Sequence, residues 1–306
     1  MNRAELLSKI ALFPLHARGL AEEILAGDYG SVFKGQGIEF DEVRHYQAGD
    51  DIRSVDWNAS ARFGAPFVKM YREEKEMIVF ILLDVSPSMY SSLPGPGASS
   101  GQLKPCEQGL LAAALIAFSA SRTGQRVGAL FFDKGIRRVF YPRKGRGHIM
   151  AILGNGLNEA EEGEKRGGEA GDGGSNLEAA LTGAGRLLKR RSLVVIISDF
   201  YAAGWESEFF SLSRGHDLIA VRITSPHDRE IPPWGILPLQ DPETSYRIHA
   251  LPHSPAFRKA WQEWHRERQN YWEGQCRRAG ASFLNLSVSD DAAGVLFRFF
   301  SERKKK

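Results

Sequence analysis

The sequence predicts an α/β fold built on a doubly wound, mostly parallel sheet. Two continuous apolar runs, 77–84 (MIVFILLD) and 193–198 (LVVIIS), have the length and composition of strands that are buried on both faces. Helix-length segments alternate with these and other short apolar runs, as they do when helices cover both sides of a parallel sheet. With 306 residues, 42% of them hydrophobic, the chain is long enough for one large domain or two modest ones.

Three regions are predicted along the chain. Residues 1–28 are expected to form an N-terminal helical segment that is interrupted at Pro14. Residues 29–76 are expected to form a small β-rich extension, because glycines punctuate a series of short segments there. Residues 77–306 then carry the α/β domain.

The α/β domain is predicted to alternate strands and helices throughout. The predicted strands are 77–84, 126–132, 136–141, 193–198, 218–223 and 282–288. The predicted helices are 105–122, 147–157, 177–189, 206–214, 255–278 and 290–302. Gly and Glu dominate 159–174, which favours a loop, and frequent prolines at about 225–252 favour an insert that holds a hairpin.

Polar side chains follow the two buried strands at their carboxyl ends, the edge where open α/β sheets bind ligands. In the segment DVSPS, Asp84, Ser86 and Ser88 place one carboxylate and two hydroxyls at alternate positions, while Asp199 follows the second strand. Ser175 comes just before a helix and adds a third hydroxyl. Such oxygen donors suit Mg²⁺. Each residue alone is equally typical of a turn or a helix N-cap, Ser175 especially, but their order along the chain favours a metal site.

The same residues resemble the metal-ion-dependent adhesion site of von Willebrand factor A domains. Asp84, Ser86 and Ser88 match the first motif of that site, and Asp199 matches the last one. Ser175 stands where those domains usually have threonine, so the hydroxyl is kept and a methyl group is lost. The resemblance implies a von Willebrand factor A-like fold and a Mg²⁺ or Mn²⁺ ion held by these five residues.

A second resemblance runs from about residue 29 to the C-terminus. The segments GQGIEFDEVRHY at 35–46, GDDIRSVDW at 49–57 and SAR at 60–62 are similar to the signature of a bacterial family catalogued as domain of unknown function fifty-eight. Its members are typically encoded beside MoxR-type AAA+ ATPases, so the resemblance implies such an ATPase as the partner. Many members carry two membrane helices ahead of the signature; none is expected here, and peripheral association with a membrane complex stays open.

The signature region is dense in opposite charges, and two interpretations of it stay open. Its charged and aromatic side chains either form an internal ion-pair network that fastens the region to the α/β domain, or present a docking surface to a partner. The residues concerned are Glu39, Glu42, Arg44, Asp50, Asp51, Arg53, Asp56, Trp57 and Arg62. In the first interpretation, Asp50 also caps a turn.

Composition narrows the setting in which the protein works. A net charge of +3 gives no field that argues for nucleic acid as a partner. No apolar run approaches the ~20 residues that cross a bilayer. The two cysteines lie far apart, which suits a reducing compartment and excludes a disulfide framework. These observations predict a cytoplasmic protein.

The motifs predict a metal-dependent protein-binding module rather than an enzyme, acting as an adaptor or co-chaperone-like partner of the ATPase. The chain has no GxxxxGK phosphate loop, no HExxH and no GxSxG nucleophile elbow. The alternative is a metal-assisted hydrolase that uses the same ion as a Lewis acid. That alternative lacks a general base beside the motifs in the sequence.

Overall fold

The computed structural model describes residues 38–47, 49–73, 77–90, 103–166, 174–229, 231, 235–240 and 247–303. The predicted helical segment 1–28 lies outside these residues, as does most of the loop that follows Tyr90. The chain divides into two compact units, Asp28–Glu76 and the remainder, and each is described by itself. The predicted domain boundaries stay a prediction.

The smaller unit is a two-stranded sheet with two short helices between its strands. Strands β1 (Ile38–His45) and β2 (Phe67–Glu73) pair antiparallel. A 3-10 helix (Ile52–Ser54) and helix α1 (Trp57–Phe63) occupy the connection, where the sequence predicted only strands and turns. The reason is local, because an aspartate side chain caps the start of each helix through backbone N–H groups.

The larger unit contains eight strands and seven α-helices among the described residues. Its strands are β3 (Ile78–Asp84), β4 (Arg126–Phe132), β5 (Ile136–Arg143), β6 (Leu193–Ser198), β7 (Asp217–Thr224), β8 (Leu237–Gln240), β9 (Arg247–Ala250) and β10 (Ser282–Ser287). Its helices are α2 (Pro105–Arg122), α3 (Arg146–Arg166), α4 (Leu177–Leu187), α5 (Glu206–Gly215), α6 (Pro226–Arg229), α7 (Pro255–Arg278) and α8 (Ala292–Arg303). A 3-10 helix (Pro87–Tyr90) follows β3.

The central sheet has six strands in the order β10-β7-β6-β3-β4-β5. All neighbours are parallel except β4 and β5, which form an antiparallel pair at one edge. The predicted α/β class with a mostly parallel sheet is therefore confirmed. From β3 the chain first moves to β4 on one side and later returns to β6 on the other. Such a reversal opens a crevice at the carboxyl ends of the two strands.

Helices cover both faces of this sheet, and alternate residues of each strand serve opposite faces. Leu82 and Ile196 belong to a buried cluster that also takes residues from α4, α5 and α7. On the other face, α2 passes so close to the sheet that a Cβ atom on Gly109 would lie 3.5 Å from Leu83 and 3.2 Å from Ile197. The strands beneath the crevice are therefore held in a packed core on either side.

Helix α3 is longer than predicted, since it continues to Arg166 through residues expected to be a loop. Tertiary contacts explain the difference. Tyr90 donates a hydrogen bond from its hydroxyl to the backbone oxygen of Glu159 at 3.1 Å. The buried Glu159 carboxylate also accepts from Arg138 Nε at 3.0 Å, which ties the helix to strand β5. Residues 159–166 also contain one glycine, Gly163, among good helix formers, so local propensity and packing both favour the longer helix.

Three further observations complete the fold. Inside the predicted insert, β8 and β9 pair antiparallel as a separate small sheet. Cys106 and Cys276 are both buried and free. In the part of the chain that the structure describes, no helix is long and apolar enough to span a membrane.

Candidate metal centre

The candidate site begins with two aspartates at the crevice. Asp84 is the last residue of β3, and Asp199 directly follows the neighbouring strand β6. Asp84 is fully buried and Asp199 is 5% exposed. Because buried carboxylates are costly unless their charge is compensated, this pair demands hydrogen bonds, protons or a cation.

The loop after Asp84 is folded around that carboxylate. The backbone N–H of Ser86 donates to Asp84 Oδ1 at 2.9 Å. The hydroxyls of Ser86 and Ser88 lie 3.1 Å apart, and Met89 N–H closes the turn by donating to the Ser86 carbonyl oxygen. The two hydroxyls of the first motif thus lie together beside the aspartate, as their alternate spacing predicts.

Ser175 reaches the same aspartate from a distant part of the chain. Its hydroxyl donates to Asp84 Oδ2 at 3.0 Å. The N-cap of α4 is Asn176, whose side chain accepts from Ala179 N–H, so Ser175 is not the residue that caps this helix. The interpretation of Ser175 as the N-cap of this helix is therefore wrong.

Ser198 is a site residue that the sequence analysis missed. Its hydroxyl donates to Asp84 Oδ2 at 2.6 Å and accepts from Phe200 N–H at 2.9 Å. The signal was its position, because Ser198 is the residue of β6 beside the end of β3 and directly precedes Asp199. The Ser198 and Ser175 hydroxyls therefore donate to the same oxygen of Asp84.

A strained turn holds Asp199. Phe200 adopts a φ of 56°, a left-handed conformation that bulky residues rarely enter. The turn brings Tyr201 N–H to Asp199 Oδ1 at 3.0 Å. The Phe200 ring packs between Trp205 and Trp272, with centroids 5.5 Å away in each case, and this aromatic packing offsets the backbone strain.

Two arginines support the turn from behind. Arg222 is buried on β7 and donates from Nε to the backbone oxygen of Asp199 at 3.2 Å. Arg268 on α7 donates to the backbone oxygen of Tyr201 at 2.9 Å. Neither was predicted, since both act on backbone atoms from elements far away in the sequence.

The electrostatics of the pair reflect this burial. Burial, and then the negative charge of Asp199, raise the pKa of Asp84 to about 7, against the hydrogen bonds from Ser198 and Ser86. Burial also raises the pKa of Asp199, although a hydrogen bond from Ser88 and the charges of Arg222 and Arg268 oppose the rise. Two neighbouring acids with raised pKa values indicate a site at which a bound positive charge would stabilise the ionised carboxylates.

The five predicted ligands therefore lie around one crevice, linked through Asp84 and through the Ser86, Ser88 and Asp199 contacts. Their donor set is two carboxylates and three hydroxyls, all hard oxygens that fit Mg²⁺ or Mn²⁺. No group of three or more His, Cys, Asp or Glu side chains suited to a metal occurs among the described residues. Hydroxyls would have to supply the remaining protein ligands, and that coordination stays a prediction.

The charged signature of the smaller unit forms local hydrogen bonds. Arg44 pairs with Asp50 at 2.7 Å, and this hydrogen bond lowers the pKa of Asp50. Asp50 also closes its turn by accepting from Gln47 N–H at 2.9 Å, as predicted.

The other aspartates of the signature cap the two short helices. Asp51 accepts from Arg53 N–H, and Asp56 accepts from the N–H groups of Asn58 and Ala59. The side chains of Arg53, Trp57 and Arg62 are exposed, while those of Glu39 and Glu42 lie outside the described set. The choice between an ion-pair network and a docking surface stays open.

Comparison with known proteins identifies a family and several relatives of this chain. The family described as protein of unknown function DUF58 matches residues 42–271. The uncharacterized protein Rv1480 of Mycobacterium tuberculosis is 27% identical over 302 residues, which cover 98% of this chain and 90% of that protein. The uncharacterized protein Mb1516 of Mycobacterium bovis matches equally well, at 27% identity over the same coverage.

Solved structures offer weaker likenesses. BatB from Bacteroides thetaiotaomicron is 14% identical with a TM-score of 0.42, and an aerotolerance-related membrane protein from Bacteroides fragilis is 15% identical with a TM-score of 0.43. Each match covers 75% of this chain and 100% of the other. Scores this low do not establish a shared fold. The family match spans most of the chain, from residue 42 to residue 271, and the protein therefore belongs to the DUF58 family of proteins of unknown function.

Proposed function

We propose that the protein is a metal-dependent protein-binding module, with a von Willebrand factor A-like domain that binds Mg²⁺ or Mn²⁺ between β3 and β6. The proposal rests on the buried pair Asp84 and Asp199, which lies where the chain changes the side of β3 on which it adds strands. The hydroxyls of Ser86, Ser88 and Ser175 surround that pair.

A divalent cation suits this crevice for electrostatic reasons. Two ionised carboxylates balance the charge of one such ion, which offsets the burial and the repulsion by Asp199 that together raise the pKa of Asp84. Serine hydroxyls are neutral and hold an ion without adding further charge. When bound, the ion would act as an acceptor for one more oxygen ligand from outside the chain.

The same charge balance between the ion and the two aspartates favours binding a partner over catalysing a reaction. An ion that is only just neutralised by Asp84 and Asp199 still attracts a carboxylate, so an Asp or Glu of a partner protein can replace water on it. This chain would supply the ion and the side chains that hold it. The partner would supply one carboxylate ligand, so its binding would depend on the metal.

The family resemblance names a candidate partner. Relatives that share the 35–62 signature are typically encoded beside MoxR-type AAA+ ATPases, so we propose that the protein acts as an adaptor or co-chaperone-like partner of such an ATPase. The chain's own contribution would be to present the crevice and its ion to an acidic side chain of the ATPase or of its client.

Metal binding is the first test. Isothermal titration of the purified protein with MgCl₂ and with MnCl₂ should show one saturable site. Asp84→Asn and Asp199→Asn should each abolish it, because each removes a charged ligand while conserving shape. Ser175→Ala should weaken binding, whereas Ser175→Thr keeps the hydroxyl and should retain it. Equal metal binding by the wild type and Asp84→Asn would sink the proposal.

Partner binding is the second test. A purified MoxR-type ATPase from the same source should bind the immobilised protein in Mg²⁺. This binding should be lost in EDTA, and the Asp199→Asn variant should not bind the ATPase even in Mg²⁺. Folding of that variant should be checked by circular dichroism. Binding that survives both EDTA and the substitution would reject the metal-mediated contact and would instead favour the exposed side chains of the signature unit as the docking surface.

A further inference from the structure

A groove with aromatic walls lies directly beside the candidate metal centre. It has a volume of about 370 Å³ and opens between the turn that follows β6 and helix α7. Tyr201 belongs to its lining and donates its backbone N–H to Asp199 Oδ1 at 3.0 Å, so the groove adjoins that aspartate. We call it the aromatic groove, and the residues that determine its chemistry are Tyr201, Glu206, Trp264, Glu267, Arg268 and Tyr271.

The aromatic groove has a fixed floor. Phe200, Trp205 and Trp272 also line it, and each of them is at most 4% exposed. Arg268 ties the turn to α7, because its Nη2 donates to the backbone oxygens of Phe200 and Tyr201 at 3.4 Å and 2.9 Å. The groove is therefore formed by the folded chain itself, as binding sites usually are.

Two large aromatic side chains of the wall stay exposed. Trp264 is 46% exposed and Tyr271 is 54% exposed. They lie seven residues apart on α7, so they belong to the same side of the helix. Exposed aromatic side chains that line a concave surface are typical of sites where another protein binds, and Trp and Tyr dominate the binding energy of such sites.

Arg268 shows which chemical group these walls accept. Its guanidinium carbon lies 4.8 Å from the centroid of the Tyr201 ring and 5.1 Å from that of Trp264. The two rings are nearly parallel, at 16°, with centroids 6.0 Å apart. Aromatic faces attract cations, and they attract a planar guanidinium in particular because it can stack on them.

The charge of the lining favours a further cation. Among the described residues that form it, Arg268 is the one cationic side chain, whereas Glu206 and Glu267 are acidic. Arg268 donates to backbone oxygens, and Glu206 accepts only from the neutral Tyr271 hydroxyl, at 2.8 Å. Acidic side chains beside exposed aromatic faces are complementary to an arginine, which can stack on a ring and donate to a carboxylate at the same time.

We propose that the aromatic groove binds an arginine side chain of the partner protein, close in sequence to the acid that the metal would bind. The guanidinium contacts the exposed faces of Trp264 and Tyr271, and it pairs with Glu267. The identity of the occupant as a partner protein rests on the function proposed above. The chemistry of the groove does not require the metal.

The first test separates the groove from the metal. The full chain in EDTA is titrated with N-acetylarginine amide, which has no carboxylate, while the NMR signals of the backbone amides of residues 200–206 are followed. These signals should shift saturably. N-acetylcitrulline amide has a similar shape without the charge, and it should bind at least about threefold more weakly, as should N-acetylleucine amide. The proposal is overturned if the arginine amide does not bind, or if either neutral amide binds as tightly.

Variants then assign the arginine to this groove. Trp264→Ala should weaken binding of the arginine amide about fivefold, and Glu267→Gln about threefold, because each removes one of its contacts. Both side chains are exposed, so neither change is expected to disturb the fold. Glu302→Gln makes the same charge change on the exposed surface of α8, outside the groove lining, and should leave the affinity unchanged. If both groove variants bind like Glu302→Gln, the proposal is overturned.

Linked peptides test whether the groove and the metal serve one partner. Peptides that join glutamate to arginine through one to four glycines, in either order and with blocked ends, are titrated in Mg²⁺ and in EDTA. At the best spacing, Mg²⁺ should tighten binding at least about tenfold, because the second contact becomes intramolecular. Arginine binding in EDTA without any gain from Mg²⁺ would reject the metal contact and support the groove alone. A gain from Mg²⁺ that is as large with citrulline in place of arginine would overturn the groove as the second contact.

Discussion

Ser198 shows how much a single buried hydroxyl can organise. It donates to Asp84 and accepts from Phe200 N–H, so it joins a carboxylate on one strand to the backbone turn that follows the next. Both partners are buried. Loss of the hydroxyl leaves a carboxylate oxygen and a backbone N–H each without one of its contacts.

We therefore expect Ser198→Ala to lower the free energy of unfolding by about 1–3 kcal/mol, measured by urea denaturation in EDTA. The pKa of Asp84, followed by NMR, should also rise, since the Ser198 hydrogen bond normally lowers it. Ser213→Ala removes a hydrogen bond to the Phe210 carbonyl oxygen on the surface of α5 and serves as the control, with an expected change below about 0.5 kcal/mol. Equal effects of the two substitutions would contradict this account.

At the residue scale, the sequence predicted side chains whose role follows from strand ends, and missed those whose role follows from the fold. Asp84 and Asp199 each end an apolar run, so their position at the sheet edge could be foreseen. Arg222 lies within an apolar strand and contacts a backbone oxygen, which no motif records. The left-handed turn at Phe200 depends on two aromatic partners, Trp205 just before α5 and Trp272 on α7.

At the scale of elements, helix α3 contains two glycines with different surroundings, Gly163 and Gly154. A Cβ atom on Gly163 would lie 2.3 Å from the ring of Tyr90, whereas Gly154 has nothing within 4 Å of that position. The first glycine permits a close approach between helix and ring. The second only weakens the helix, because glycine has a lower helix propensity than alanine.

The two glycines should respond in opposite directions to the same substitution. Gly163→Ala should destabilise the protein by about 1–3 kcal/mol, since the rigid Tyr90 ring must shift and its hydrogen bond to Glu159 is disturbed. Gly154→Ala should stabilise it by about 0.4–1 kcal/mol. Thermal unfolding of both variants beside the wild type measures the difference, and a loss of stability in Gly154→Ala as large as in Gly163→Ala would refute the contact explanation.

The extent of α3 shows the limit of averaging composition over a long segment. Residues 159–174 as a whole are rich in glycine, but residues 159–166 contain only Gly163 among good helix formers, and they also contact Tyr90 and strand β5. The apolar strands β3 and β6 had no such ambiguity, because their hydrophobicity and their burial agree along their whole length. Elements were therefore predictable where the whole segment shows one preference.

At the scale of the whole molecule, the raised pKa of Asp84 links stability to pH. This carboxyl binds a proton more tightly in the folded protein, with a pKa of about 7 against an ordinary value of 3.8. Its contribution to stability is therefore complete below about pH 4 and is lost as the pH rises through 7. A cation between the aspartates would remove that loss.

Metal-free protein should accordingly lose thermal stability between about pH 4 and 7, and added Mg²⁺ should flatten the profile. Asp84→Asn cannot titrate at this position, so the difference in Tm between it and the wild type isolates the contribution of Asp84 from that of other groups. Differential scanning calorimetry in EDTA and in Mg²⁺ provides the measurement. A wild-type-to-variant difference that is the same at every pH would refute the linkage.

The strand order of the sheet lies beyond sequence reasoning of this kind. Alternating strands and helices predict a parallel sheet, but many orders satisfy the same pattern. The observed order places β6 against β3, and so makes neighbours of two acids that lie far apart in the chain. The resemblance to a von Willebrand factor A adhesion site predicted that the motifs of Asp84 and Asp199 would lie together. The strand order is the physical reason that they do.

One consequence of that topology concerns how the chain is tied together. Ser198 and Asp84 meet across 114 positions of sequence, and Ser175 and Asp84 across 91. An ion held by both aspartates would act as a removable cross-link that closes a loop longer than a third of the chain. Because closing long loops costs an unfolded chain the most entropy, such a clip would restrain the unfolded state far more than a local one, and its release would loosen the middle of the sheet rather than its edge.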